Sequence, residues 1–357
     1  MIAAIKSSCH GYRKVLRTGE SLKGLYVPQF GDLDRMSDFA RDLQSSSALA
    51  LDFSRVGFAT PTGMLVLASL IEEAVRAGRV PIQSGITPRD YPSNMGFYAA
   101  CGLDVPKHEA PGSATYYPIT RFDVVQLRAR AAELGIPIGA HVNVTVGRLA
   151  YLITRQTSGD LFYTVKYCLR EILRNVAEHS QSEHLLVMGQ YWPERNQFEL
   201  AVLDRGIGLR AALSENPKFS GLVSNRNAIR LALLPSTSGK KVYDVSENLV
   251  EIDEEGQWGN SGFGLYVTSQ MARRTGAFTI ASGDARLEIT GNQKRSGAFF
   301  LPGTLVYMKM DVGQLGRLEP ALRQISDRVE AIAKRFLTAG ADVLASAASR
   351  LIMQDEG

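Results

Sequence analysis

Four short stretches of the sequence carry residue types that could act on one ligand together. The first is CLREILRNVAEHS, in which Glu171 and Asn175 stand four apart. On a helix that spacing puts both on one face, so a carboxylate and an amide can be aimed at a single site. A polar helix edge is the plain alternative. The second, ELAVLDRGIGL, has an alternating strand that delivers Asp204 into a turn containing Gly206 and Gly208. Glycines permit positive φ and close backbone approach, and a carboxylate accepts hydrogen bonds from a donor such as an exocyclic amine. A dinucleotide fingerprint fits poorly. Gly206, Gly208 and Ala211 give only GxGxxA, and a carboxylate ahead of the glycines would repel a pyrophosphate. A simple tight turn is again the plain alternative.

In the third stretch, GNSGFGLYVTSQMARRTG, Gly262 and Gly264 sit immediately before a helix whose N-terminal amides would face a bound anion. A helix-entry turn accounts for the same residues. The fourth, GTLVYMKM, has Gly303 and Thr304 entering a strand, which alone is uninformative. Residues 209–261 are polar and irregular apart from one short apolar helix, NAIRLALL. A loop that long is usually functional or disordered. Its Lys240 and Lys241 would reach a terminal phosphate if the loop closed, although exposed loop lysines are the commoner case. No GxxxxGK[ST] occurs, which excludes P-loop chemistry.

The elements that must position these residues are set by periodicity. DVVQLRARAAELG, VTVGRLAYLITRQ and the run from Asp160 to His179 read as helices. EHLLVMGQYW and QFELAVLD alternate about the turn PERN, the signature of an antiparallel hairpin. AFTIASG, a stretch near ARLEI, and GTLVYMKM are predicted as the later strands, and residues 311–352 as amphipathic helix. Upstream, KGLYVPQF and ALALDF read as strands. They are followed by the turn-rich SRVGFATPTG, an amphipathic helix MLVLASLIEEAVRAGR with a Thr-Pro-Thr start and a Gly78 stop, and a short strand VPIQ. The proline-bearing segment 105–120 marks the seam between the two halves.

Composition sets the outer bounds. With 357 residues the chain is long enough for two domains, and 45% hydrophobic with 21% charged residues excludes collagenous, disordered and disulfide-scaffold classes. Forty basic against 36 acidic residues make a mixed surface, so a nucleic-acid partner is unsupported. Cys9, Cys101 and Cys168 are too scattered for a disulfide framework or a Cys-based zinc site, and a reducing cytoplasm is expected. The longest apolar stretch, GMLVLASLI, is far below the ~20 residues of a span. A soluble protein without a membrane partner is therefore predicted.

Taken together and in order, ExxxN on a helix, DxGxG after a strand, GxGL at a helix start and GT in a late strand resemble the GHKL superfamily. This is the histidine-kinase-like ATP-binding fold of type II topoisomerases, mismatch-repair ATPases, sensor kinases and anti-sigma-factor kinases. The resemblance covers about Asp160 to Met310. It implies a role for each matching residue. Asn175 would coordinate magnesium at the phosphates, and Glu171 would orient or deprotonate water. Asp204 would accept from the adenine amino group, with Thr304 completing that contact. Gly206, Gly208, Gly262 and Gly264 would let backbone approach base and phosphates, and 209–261 would hold the ATP lid. His179 resembles the His of the anti-sigma kinases' NAVxHA stretch, with a structural His as the alternative.

The N-terminal half resembles a second family. LALDFSRVGFATPTGMLVLASLIEEAVRAGRVPIQ is similar to the STAS fold of anti-sigma-factor antagonists, with GFYAACGL as its closing helix. Phosphorylatable members carry a Ser directly before the loop glycine. Thr62 occupies that place, which makes it the candidate phosphoacceptor, although a Thr at a helix start is first of all a capping residue.

The expected fold class is thus α/β (α+β): a STAS-like unit over 1–110, a helical connector over 111–159, a two-layer Bergerat-type ATP-binding domain over 160–310 and a C-terminal helical tail over 311–357. The function implied is an ATP-binding regulatory switch with slow Mg-dependent hydrolysis, its nucleotide state controlling a protein-partner surface on the STAS-like unit or the C-terminal helices. The alternative is an anti-sigma-type Ser/Thr kinase acting on a STAS partner or on its own Thr62. A sensor histidine kinase is disfavoured, because His108-Glu109 falls in the proline-bearing connection and no acceptor helix precedes the ATP-binding part. A homodimer formed on ATP closure is common in the superfamily and stays open.

Overall fold

The computed structural model describes residues 4–6, 11–15, 21–28, 33–46, 49–57, 60–80, 82–88, 90–103, 105, 113, 115–234, 264–317, 320–321 and 324–325. Its first sheet holds β1 (Ala4–Lys6), β2 (Gly11–Val15), β3 (Ser21–Tyr26), β4 (Leu49–Asp52) and β5 (Ile82–Ser84) in that order. The first three strands pair antiparallel, while β3, β4 and β5 run parallel. Parallel neighbours need crossover connections. These are α1 (Leu33–Ser45) and α2 (Pro61–Arg76).

Sequence chemistry bounds α2 at both ends. Thr60 Oγ1 accepts the Gly63 amide at 3.2 Å and Pro61 opens the first turn, where its missing N–H costs nothing. At the far end Gly78 takes φ 68°, and the amides of Gly78 and Arg79 return to Val75 O and Ala74 O. What differs from the sequence reading is the burial. Every residue from Pro61 to Glu72 is buried, so α2 is covered all round and not amphipathic. The unbroken run MLVLASLI is the cause, since a helix apolar on every side must be packed on every side.

The second layer that covers it is the other sheet. After α3 (Tyr91–Asn94) and α4 (Phe97–Ala100) the chain enters β6 (Tyr116–Asp123), then α5 (Val124–Glu133), α6 (Ile138–Thr154) and α7 (Asp160–Asn175). The hairpin β7 (His184–Trp192) and β8 (Gln197–Asp204) comes next, with α8 (Gly208–Ser214) and α9 (Asn225–Ala232) after it. Helix α10 (Gly264–Thr275) leads into β9 (Gly276–Thr290) and β10 (Gln293–Asp311). The sheet order is β6-β7-β8-β10-β9, antiparallel throughout. The molecule is therefore mixed α/β: an N-terminal sheet with a parallel portion and its helices, then a five-stranded antiparallel sheet with helices.

Strand alternation decides which layer each side chain joins. Phe198, Leu200, Val202, Val306, Met308 and Met310 share a core with α6, α7, α9 and α10. Leu186, Met188, Ala201, Leu203 and Leu305 point the other way, into the core of α1, α2 and the first sheet. The antiparallel sheet is thus covered on both faces.

Two further elements depart from expectation. Residues 116–123, expected within a helical connector, form an edge strand, and the register shifts between Tyr117 and Thr120, around Pro118. An edge is where a strand tolerates a residue that cannot donate. The next amide, Ile119, donates instead to Met95 O at 2.9 Å, tying this strand to the N-terminal unit. β9 is one strand rather than two, running through Gly283 at φ 63°. Of the tail, Ile325 is buried in the main core and Gln324 accepts from Arg274 at 2.9 Å; residues 326–357 lie outside the described residues. No helix among the described residues is long and apolar enough to cross a membrane.

Because α2 belongs to both layers, Leu67→Ala should cost about 2–5 kcal/mol and should not uncouple the halves. Urea unfolding followed by tryptophan fluorescence and by far-UV circular dichroism is expected to give coincident transitions at a lower midpoint.

Candidate functional site

Helix α7 places Glu171 inside and Asn175 at the rim. Glu171 is 9% exposed, and its Oε1 accepts Arg170 Nε at 2.9 Å and Nη2 at 2.7 Å. The Arg170 guanidinium, itself buried, stacks 5.0 Å from the centre of the Tyr167 ring. Oε2 lies against Gly264, so closely that a Cβ at residue 264 would collide with it. The carboxylate therefore meets the N-terminal end of α10, where the helix dipole favours negative charge. Asn175 is exposed at the last residue of α7, and beyond it the chain widens into a π turn, Val176–Ser180. His179 on that turn is half-buried, its Nε2 3.8 Å from Glu178 Oε2, while Glu178 Oε1 accepts Arg174 Nε at 2.8 Å.

Asp204 ends β8 opposite Thr304 on β10. By alternation with Val202 and Val306, both side chains project toward the α7 side of the sheet. Asp204 is 4% exposed, and its Oδ1 accepts the Gly206 amide at 2.8 Å. Burial pushes its pKa up to about 7, with the Gly206 N–H pulling the opposite way. No cationic side chain among the described residues pairs with it. Beside it, Ser282 Oγ accepts the Leu209 amide at 2.9 Å, donates to Gly303 O at 2.9 Å and lies 3.4 Å from Thr304 Oγ1.

The two groups are joined through Ser180. Its carbonyl accepts the Ile207 amide at 2.8 Å, and a Cβ at Gly206 would collide with that same carbonyl. From Glu171 to Ser180 the helical path is on the order of 13 Å, with Asn175 and His179 in between. The structure thus brings Glu171 to Gly264 at one end and Asp204, Gly206, Gly208 and Thr304 together at the other.

The glycines have reasons of their own. Gly208 and Gly303 sit at φ 75° and 91°, and a Cβ on Gly303 would strike Asp204 O. Close contact between chain segments or positive φ requires each of these glycines and Gly206 and Gly264, whether or not a ligand is bound. Gly262, Lys240, Lys241, the rest of 235–263 and the pair His108-Glu109 lie outside the described residues. Thr62 is 6% exposed in the first turn of α2, in the layer on the opposite face of the sheet from Asp204.

Sequence reasoning passes over Arg170, Ser180 and Ser282. Arg170 stands directly beside Glu171 in the chain, whereas the serines acquire partners only through tertiary contacts. Among the described residues no group of three or more His, Cys, Asp or Glu side chains could hold a metal ion. Comparisons with family models, curated proteins and solved structures find no match for this chain.

Two outcomes test this geometry. The unfolded value of Asp204 is 3.8 and the folded value about 7, so its buried charge destabilises the fold increasingly as pH rises from 4 to 7. Asp204→Asn should therefore raise the melting temperature at pH 8, and that gain should shrink toward zero near pH 4. Gly264→Ala should cost about 1–3 kcal/mol in urea unfolding, because the added Cβ meets both the carboxylate and the Cβ of Glu171.

Proposed function

We propose that the antiparallel sheet with α7 to α10 is an ATP-binding domain of the GHKL type, working as a nucleotide-controlled switch. One observation carries this reading: a buried carboxylate at a strand end, without a counter-cation among the described residues, beside Thr304 and the Gly206 turn. Such a group gains most from a ligand that donates hydrogen bonds. The adenine amino group is such a donor; guanine would turn a carbonyl toward the carboxylate. The STAS-like reading of the N-terminal unit is kept, with the unit as a built-in layer behind the sheet.

At the other end the chain's own groups divide the work. The exposed Asn175 amide oxygen is a suitable hard ligand for a magnesium ion carried on the phosphates, which would neutralise their charge. Glu171 Oε2 is the oxygen positioned to orient a water and take its proton, because Oε1 is engaged by Arg170. Burial of Thr62 on the far face of the sheet supports the switch over phosphorylation of the chain's own Thr62.

Titration calorimetry with Mg-ATP tests the reading. Asp204→Asn is expected to weaken binding by about tenfold to a hundredfold, the value of a hydrogen bond to a charged group, with the fold retained. Unchanged affinity would refute the adenine contact. A ligand that favours ionised Asp204 should bind more tightly as pH rises from 5 to 7 and release a proton in that range. With γ-labelled ATP, label is expected as free phosphate, and Glu171→Ala should keep binding while abolishing that release. Label retained on the protein would move the assignment to a kinase.

A further inference from the structure

The join between the two ends of the site is held by a residue outside all four sequence stretches. At the π turn after Asn175 the regular hydrogen-bond ladder of α7 is interrupted, which leaves carbonyls in need of donors. Arg128 on α5 supplies them. Its Nε donates to Ala177 O at 2.9 Å, Nη1 to Ser182 O at 3.1 Å and Nη2 to Val176 O at 3.3 Å. The turn then ends at Gln181 with φ 55°, a left-handed conformation that a non-glycine residue adopts at a cost and keeps only when its surroundings enforce it.

The opposite side of the same turn grips the Asp204 loop. Ser180 Oγ donates to Val176 O at 2.7 Å and accepts the Ser182 amide at 3.1 Å. Ser180 O takes the Ile207 amide at 2.8 Å, and Ser182 Oγ takes the Arg205 amide at 3.3 Å. One guanidinium therefore clamps the peptide segment 176–182 from α5, and that segment sets where residues 205–207 lie relative to α7.

We infer that Arg128 is a positioning residue of the nucleotide site, fixing the spacing between the Asn175 end and the Asp204 end. The inference rests on the ATP-site reading above. A ligand that engages both ends is sensitive to that spacing, since a hydrogen bond to a charged group lost at one end is worth about tenfold to a hundredfold in affinity. A ligand that engages only the Asp204 end is not. Lysine cannot replace the guanidinium, because its donors radiate from a single nitrogen and cannot reach three carbonyls spread over this turn.

The test uses the full chain with Arg128→Met and Arg128→Lys, the second retaining the charge in case the first fails to fold. Calorimetry with Mg-ATP and with adenosine is read beside amide exchange at Ile207 in the absence of nucleotide. The expected result is faster Ile207 exchange, ATP affinity lower by about tenfold to a hundredfold and adenosine affinity unchanged. A general structural loss would weaken both ligands equally, and that result overturns the positioning role, as does ATP affinity equal to wild type. If the wild-type chain binds neither ligand, the ATP reading fails, and with it the positioning role. Ile207 exchange then reports separately on the clamp, and an unchanged rate in the variants shows that Arg128 does not hold the turn.

Discussion

A single peptide carbonyl carries the geometry of the site. Ser180 O accepts the Ile207 amide while Gly206 packs against it with no room for a side chain. Move that contact and the carboxylate at the end of β8 shifts against the helix that carries Glu171 and Asn175. The contact exists because α7 does not end cleanly. Its last turn widens, releases carbonyls that Arg128 and Ser180 satisfy, and so delivers Ser180 O outward to the loop. The glycine at 206 is accordingly a packing requirement first, whatever ligand the loop meets.

The second constraint is the two-sided burial of α2. An antiparallel sheet with helices on one face commonly leaves the other to solvent; here α2 fills it from the same chain. Polar contacts reinforce the packing. Glu73 pairs with Arg205, the residue directly after Asp204, and Glu72 pairs with Arg76 and Arg121, with Arg121 Nη1 2.7 Å from His184 Nε2. Burial and then Arg121 hold the His184 ring below the usual histidine range, with Glu72 pulling the opposite way. The N-terminal unit therefore reaches to within one residue of the candidate site.

Much of this is legible in residue order because the relevant forces are local. The β7–β8 hairpin, the Gly78 stop and helix α10 each come from periodicity or a terminating residue, and the structure has them, whereas the cap of α2 is Thr60 and not the Thr62 that the sequence suggested, which lies inside the first turn. What could not be read depends on neighbours distant in sequence. MLVLASLI has the spacing of an amphipathic helix and the content of a buried one, and only the second sheet decides between them. Pro118 argues against a strand, and β6 exists because it lies at an edge with Met95 O ready for the following amide. At the site, Glu171 and Asn175 do share a helix, but their environments diverge: one is buried against Gly264 and the other is exposed. Spacing alone cannot express that difference.

The electrostatics of the two carboxylates obey opposite logics, and the contrast bears on what each can do. Glu171 is buried yet compensated, with two guanidinium N–H groups on one oxygen and a helix N-terminus beside the other. Asp204 is buried with a single amide for support among the described residues, and burial raises its pKa to about 7. A fold under selection for stability alone would have little use for that arrangement, since an apolar or amide side chain would remove the penalty. Retaining the charge is reasonable where a ligand supplies the missing donors, because the destabilisation of the empty state then returns as binding free energy. Glu171, already satisfied, has no such appetite. In the proposed reading its role comes instead from the direction in which Arg170 and Gly264 leave Oε2 pointing.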